Sequence, residues 1–366
     1  MNEEHAAFLQ AIIADPADDL PRLVYADYLD ENDDADRAEF IRLQCGPSPE
    51  ADARAASLLK ANRPRWELPR LKGQQIFRRG FVEGVWMSAE AFVASADRLA
   101  VEAPITAVRL TASGDYRDAI PQVKWLARIT ELELSNEVGL GEWLMHFLAA
   151  LDVPNLRSLA MLNNQLWPES LDALAANFHR LPGLTRLNLS GNPLGDVGLQ
   201  TLAATHTFDQ LDEFIYRCAE LSFEYAVHAN GVAEFAAAPG LGRLKFLDLN
   251  GHYVGDAGLI TLAQCNKVRS LRRLDVADNE IGSTGSSGVE NLVESHYFDG
   301  LEELNLGRNH IDRLAAEALA NWPRLADRVR GIDFAKCTFG PDARAILEAS
   351  PFAERFRIDP LDEAPE

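Results

Sequence analysis

From Ile105 onward the apolar residues keep one rhythm. An apolar residue, two variable ones, a second apolar residue, one variable and a third apolar residue recur about every 28 residues. The clearest copy is LTRLNLSGNPLGDVGLQTLA, Leu184 to Ala203. The first apolar position falls at Ile105, Ile129, Leu156, Leu184, Leu211, Leu244, Leu271, Leu301 and Val329, in steps of 24, 27, 28, 27, 33, 27, 30 and 28. Nine units at so steady a period mark a repeat architecture. Weaker copies flank them, at Val82, Val85 and Met87 and at Ala353, Phe356 and Ile358.

Each unit has two parts. The opening residues, such as Leu184, Leu187 and Leu189, end in a period of two, which predicts a short strand with one buried face. A turn follows, in which Asn164, Asn192, Asn279 and Asn309 hold equivalent places. A buried Asn there can bond the backbone of neighbouring turns and form a ladder. Ala219, His252 and Cys337 stand in its place in three units, so the ladder is expected to be interrupted. GDxG, at Gly195–Gly198 and Gly255–Gly258, fits a turn into a helix, with Asp196 and Asp256 near its positive end. Helical spacing then follows, as at Leu199, Leu202 and Ala203.

One strand and one helix cannot bury their own apolar face, but stacked units can. Helices are wider than the strand spacing of about 4.8 Å, so helices belong on the convex side and strands on the concave side. Nine strands then line roughly 40 Å of concave surface. The expected fold is α/β, a solenoid of parallel strands with a small all-α segment in front. Residues 1–70 form that helical segment, 71–104 a capping strand and helix, 105–340 the repeats, and 341–366 a second cap with an acidic tail.

These residues resemble the leucine-rich repeat family, in its long-period, ribonuclease-inhibitor-like class, over about Ile105 to Phe339. The resemblance implies a parallel-stranded horseshoe that commonly binds protein on its concave face. The unit from Leu211 departs from it. That unit runs 33 residues and inserts AVHANGVAEFAAAPG, Ala226 to Gly240.

The front of the chain lacks this period. Phe8, Leu9, Ile12 and Ile13 predict one helix, ended by Asp15 and Pro16. Leu20, Leu23, Val24 and Tyr28 form the apolar stripe of a second, Phe40 and Leu43 mark a third, and an Ala-rich stretch from about Glu50 to Asn62 gives a fourth. Asp19 to Gln44 resembles a bacterial repeat-companion domain. That domain is typically found at the front of repeat-bearing proteins, and no biochemical activity is generally assigned to it. A helical cap over the end repeat is the expected role, and the alternative is an independent module that recruits something else.

Composition narrows the functional classes. Thirty-five basic against 56 acidic side chains give a net charge of −21, which disfavours nucleic acid and anionic membranes as partners. The acidic start MNEEHAAF does not resemble a signal peptide, and no apolar run approaches a membrane span, so the cytoplasm is the expected location. Cys45, Cys218, Cys265 and Cys337 form no close pair that would suggest a disulfide framework or a zinc half-site.

Candidate chemistry is thin. Asp30, Asn32, Asp34 and Asp36 alternate like calcium ligands, but Ala35 and Ile41 stand where that loop needs Gly and Glu. IGSTGSSG, Ile281 to Gly288, lacks the Lys of a phosphate loop and reads as a helix start. No HExxH or GxSxG occurs. No catalytic residue, metal ligand or cofactor is assigned.

The strand pattern does indicate a surface. Positions one, four and six point inward, so positions three, five and seven face the concave side. There Arg186 neighbours Glu213 and Arg273 neighbours Glu303. Ile215 and Phe246 are apolar at expected exposed positions, bordered by Arg217, Asp248 and Arg273, as at the centre of an interface. A partner-binding patch is expected over Arg186, Asn188, Glu213, Ile215, Arg217, Phe246, Asp248, Asn250, Arg273 and Asp275, with the acidic members favouring a partner with basic groups. The expected function is a noncatalytic scaffold for a protein partner. The alternatives are a GTPase-activating protein, which one similar long-period family contains, or the repeat platform of a ubiquitin-ligase-like effector, in which Cys45 would hold the catalytic thiol.

Overall fold

A computed structural model describes residues 3–112, 114–136, 140–218, 223–283, 285 and 287–359, with Leu140 and Glu142 followed as backbone alone. Ala219, Thr284, Ser286 and the acidic tail 360–366, all part of the expectations above, lie outside the described residues. The chain divides into two compact units, Met1–Glu137 with Ala150–Arg157, and Val138–Ala149 with Ser158–Glu366.

The first unit opens with four helices, α1 (Glu3–Ala14), α2 (Leu20–Glu31), α3 (Ala35–Cys45) and α4 (Pro49–Trp66). Ser48 caps α4 by accepting from the Ala51 N–H at 3.2 Å, with Pro49 at the first helical position. Two strands follow where one was expected. β1 (Gln74–Arg78) pairs antiparallel with β2 (Phe81–Ser88), and α5 (Ala89–Glu102) comes next. β2, β3 (Ala107–Thr111) and β4 (Glu131–Ser135) are parallel and in repeat register, with Val85 opposite Val108 and Met87 opposite Leu110.

Helix α2 buries a face that leaves most of its apolar stripe in solvent, with only Tyr28 of the stripe packed against the core. Leu20, Leu23 and Val24 are exposed, while Arg22, Tyr25, Ala26 and Leu29 are buried. Arg22 meets the equally buried Glu83 of β2 at 2.6 Å, and Arg79 reaches the other Glu83 oxygen at 2.8 Å. A buried carboxylate needs such partners, and this requirement outweighs the stripe in setting the rotation of α2. Ile12, Tyr25, Leu29, Ile41 and Phe81 share one core, so the helices sit directly on the β1–β2 hairpin.

The second unit alternates helix and strand: α6 (Leu140–Ala150), β5 (Ser158–Leu162), α7 (Ser170–Asn177), β6 (Arg186–Asn188), α8 (Gly195–Ala203), β7 (Glu213–Ile215), α9 (Ala229–Ala237), β8 (Phe246–Asp248), α10 (Gly255–Gln264), β9 (Arg273–Asp275), α11 (Ser287–Glu294), β10 (Glu303–Asn305), β11 (His310–Ile311), α12 (Arg313–Ala320), β12 (Gly331–Asp333), β13 (Thr338–Phe339), α13 (Ala343–Glu348) and β14 (Phe356–Arg357). β5 to β10, β12 and β14 form one parallel sheet, and β11 pairs with β13 apart from it. Neighbouring helices pack on one another in the same order. The inward positions fill the core, where Leu184, Leu187, Leu189, Leu244, Leu247 and Leu249 are fully buried.

The turns carry a hydrogen-bond ladder. Asn192 Oδ1 accepts from the Asn164 and Leu166 N–H groups at 2.9 and 3.1 Å, and its Nδ2 donates to the Met161 and Leu189 carbonyls, both at 2.7 Å. Asn309 accepts from Asn279 and Ile281 in the same way, both at 3.0 Å. The expected interruptions are bridged by other groups. His252 Nδ1 accepts from the Val227 N–H at 3.0 Å and Nε2 donates to the Tyr216 carbonyl at 2.8 Å, so a neutral imidazole reproduces what an amide does. The Tyr216 hydroxyl, from the long unit, accepts from Leu194 and Gly195 and donates to the Asn192 carbonyl at 3.0 Å. Cys337 Sγ donates to the Leu306 carbonyl at 3.1 Å.

The GDxG step and the glycine-rich segment belong to one device. Gly195 and Gly255 have φ of +55° and +58°, which favours glycine. The Asp256 carboxylate accepts from the Gly282 and Gly288 N–H groups, both at 3.1 Å, and Asp196 accepts from His228 at 2.7 Å. A Cβ on Gly288 would come within 2.6 Å of Asp256 Oδ1. The anion held by the IGSTGSSG backbone is thus the chain's own Asp256. The AVHANGVAEFAAAPG insertion proves to contain the helix of its unit, α9. Its Phe235 packs edge-on against Phe208 at 5.2 Å between ring centroids.

Candidate functional site

The nine strands β3 to β10 and β12 all begin at position three of their repeat. Arg186, Glu213, Phe246, Arg273, Glu303 and Gly331 are therefore direct lateral neighbours, as are Asn188, Ile215, Asp248, Asp275, Asn305 and Asp333 at position five. Arg186 meets Glu213 at 2.6 Å and Arg273 meets Glu303 at 3.1 Å. These pairs lie in solvent, so each stabilises by at most about 1 kcal/mol.

Two expectations for this face need correction. Ile215 and Phe246 are not exposed; they keep only 4% and 7% of their surface. The Arg273 guanidinium lies 4.1 Å from the Phe246 ring centroid and covers it as a cation–π partner. The pair is therefore buried and forms no open patch.

The acidic residues at position five have structural work. Asn188, Asp248, Asp275, Asn305 and Asp333 each accept the backbone N–H two residues on, at Ser190, Asn250, Ala277, Gly307 and Ala335, over 2.8 to 3.2 Å. This is the Asx turn, which closes a strand end without a second strand. Asp248 is fully buried, and Arg217 Nη2 reaches it at 2.6 Å. Burial pushes the Asp248 carboxyl above its ordinary range, the Asp275 charge adds to this, and Arg217 opposes both. Asp275 also accepts from Asn250 at 3.4 Å and Asn305 at 2.9 Å. A basic partner would have to compete with these bonds.

An open cavity of about 400 Å³ lies on the same face. Of the sequence-derived patch it gathers Arg217, Phe246, Arg273 and Asp275; Arg186, Asn188, Glu213, Ile215, Asp248 and Asn250 do not line it. It adds Glu303, Asn305, Arg330, Asp333, Arg355 and Arg357. Five arginines thus face three carboxylates in a chain of net charge −21. Arg330 and Arg357 are mostly exposed, at 74% and 75% of their side-chain surface. Sequence reasoning missed these three late arginines. The available signal was the weak copy at Ala353, Phe356 and Ile358, which places Arg355 and Arg357 beside the position-three and position-five rows.

The long unit contributes elsewhere. Phe223 and Trp167 are exposed, and Trp167 stacks edge-on with Tyr225 at 5.2 Å at the turn between strand and helix. Cys45 is half-buried. Burial first, then Asp19, pushes its thiol up to about 11, so it is protonated at neutral pH and does not fit a nucleophile. Among the described residues, no helix is long and apolar enough to cross a membrane, and no group of three or more His, Cys, Asp or Glu is placed to hold a metal.

Residues 182–203 and 269–288 match the leucine-rich repeat family. The register and the stacked strand–helix units give the chain the α/β fold of a leucine-rich repeat protein. A Tonsoku-like protein of Bos taurus is 29% identical over 228 residues, covering 58% of this chain and 16% of the relative, so the chain spans about a sixth of that protein's length. Among solved structures, a protein of Bacteroides fragilis is similar at 13% identity and TM-score 0.39, covering 82% of this chain and 81% of its own. An internalin of Listeria monocytogenes follows at 12% identity and TM-score 0.36, covering 76% and 87%.

Proposed function

We propose that the protein is a noncatalytic interaction scaffold that holds a protein partner on the strand face of its second unit. The observation that carries this reading is the cavity floored by Phe246 and walled by five arginines against three carboxylates. Its acidic members are committed to Asx turns and lateral pairs, while Arg330 and Arg357, which reach Glu302 at 3.0 Å and Asp333 at 3.2 Å, still expose most of their side chains to solvent. The partner that fits presents acidic groups to these arginines. This replaces the basic partner expected from sequence, and it moves the centre of the site toward β8, β9, β10, β12 and β14. The helices α1 to α4 fit a cap, since their core includes Phe81 of the hairpin they cover.

Replacing Phe246 and Arg217 together is a poor test, because Phe246 is buried and Arg217 neutralises a buried carboxylate. Arg330→Glu with Arg357→Glu changes two mostly exposed side chains, whose pairs with Glu302 and Asp333 contribute at most about 1 kcal/mol each. Affinity capture from the native cell, read by mass spectrometry, should recover a partner with the wild type and lose it at least tenfold with this pair, while the variant stays folded by circular dichroism. Equal recovery by both would overturn the reading.

A further inference from the structure

Far from that face in sequence, the first unit contains a small cavity of about 220 Å³ lined by residues of α1 to α4, the start of β2 and the end of α5. Two of its lining residues hold donors that nothing among the described residues satisfies. Arg37 Nη1 and Trp66 Nε1 are both buried and have no hydrogen-bond partner. The Arg37 guanidinium carbon sits 4.8 Å from the Trp66 ring centroid and 5.4 to 5.8 Å from the rings of Phe40, Phe77 and Phe81. Aromatic faces stabilise a cation but accept no second N–H direction, so the donors at the guanidinium edge stay open. The acids that line the cavity are matched by other arginines: Asp34 lies 3.6 Å from Arg65, and Glu102 lies 2.7 Å from Arg98. Arg37 has no ion-pair partner among the described residues. Burial lowers its pKa to about 10, which leaves it charged at neutral pH.

We propose that this cavity binds a carboxylate group, with Arg37 and the Trp66 indole N–H as its donors and Tyr25, Leu68 and Phe81 around the short apolar body that bears it. Buried unmet donors beside an uncompensated cation are the complement of a small anion. One net positive charge and two open N–H groups match a monoanion with two oxygens. A phosphate dianion brings more charge and more acceptors than the cavity supplies. The apolar wall favours an acid with a carbon chain over an inorganic ion.

The test follows the Trp66 indole ¹H–¹⁵N resonance, identified by its loss in Trp66→Phe. Titration with propionate should move it saturably, with half-saturation in roughly the millimolar range. Sodium chloride at equal ionic strength and inorganic phosphate should not. Arg37→Met should weaken the response at least tenfold. Should that variant fail to fold, N-acetylglycine against N-acetylglycinamide on the wild type gives the same discrimination, since only the acid should bind. A short peptide ending in a free carboxylate, compared with its amide, identifies the source. Tighter binding than propionate assigns the group to a chain terminus, and weaker binding to a free small acid. No saturable shift, an equal shift with chloride or phosphate, or unaltered binding by a folded Arg37→Met protein would overturn the proposal.

Discussion

His252 offers the sharpest test of how the stack is held together. Its ring is fully enclosed, both nitrogens bond to backbone, and burial lowers its pKa from 6.5 to about 4. Protonation would place a donor against the Val227 N–H and a charge in the core. The folded-state pKa lies below the unfolded one, so the neutral ring's full contribution is present above about pH 6.5 and is lost as pH falls toward 4. At about 1.4 kcal/mol per pH unit, the gap corresponds to roughly 3 kcal/mol, of which about 2 kcal/mol is lost by pH 5. The perturbation is His252→Asn, which restores the residue used at equivalent turns and does not titrate. Urea unfolding of both proteins at pH 7.5 and pH 5 gives two differences in stability. Carboxylate effects are common to both and cancel, so the wild type should lose about 2 kcal/mol more than the variant. Parallel loss in the two proteins would refute the bridging role of a neutral His252.

Two further outcomes are expected. Tyr216→Phe removes the hydroxyl that joins the long unit to the turn at Gly195, and should cost about 1–3 kcal/mol in urea unfolding. A cost near zero would show that the ladder does not pass through Tyr216. On α2, replacing the exposed Leu20, Leu23 and Val24 together by Ser should change stability by no more than about 1 kcal/mol, whereas Leu29→Ala should cost about 2–5 kcal/mol. The reverse order would restore the stripe as the buried face.

The repeat was legible because a period of two assigns every strand residue to one of two sides. The inward leucines, and strand starts from Ala107 to Gly331, follow from that alternation alone. It does not say what lies above a side chain. Ile215 ends one strand and Phe246 begins the next as expected, yet both are buried, Phe246 beneath Arg273 of the next repeat. Asp248 and Asp275 project as expected too, but their bonds run to backbone two residues on, which hydrophobicity cannot show. On α2 the stripe pointed the wrong way because the Arg22–Glu83 contact joins positions 61 residues apart. The unmet donors of Arg37 and Trp66 had no sequence signal, since they depend on which groups fail to meet after packing.

Side-chain footprinting of the protein, free and with its captured partner, tests the central claim most directly. The account predicts protection of Arg273, Arg330 and Arg357 on the strand face, with the solvent side of α8, α10 and α12 unchanged. Protection confined to those helices, or to Trp167 and Phe223 at the turns, would contradict it.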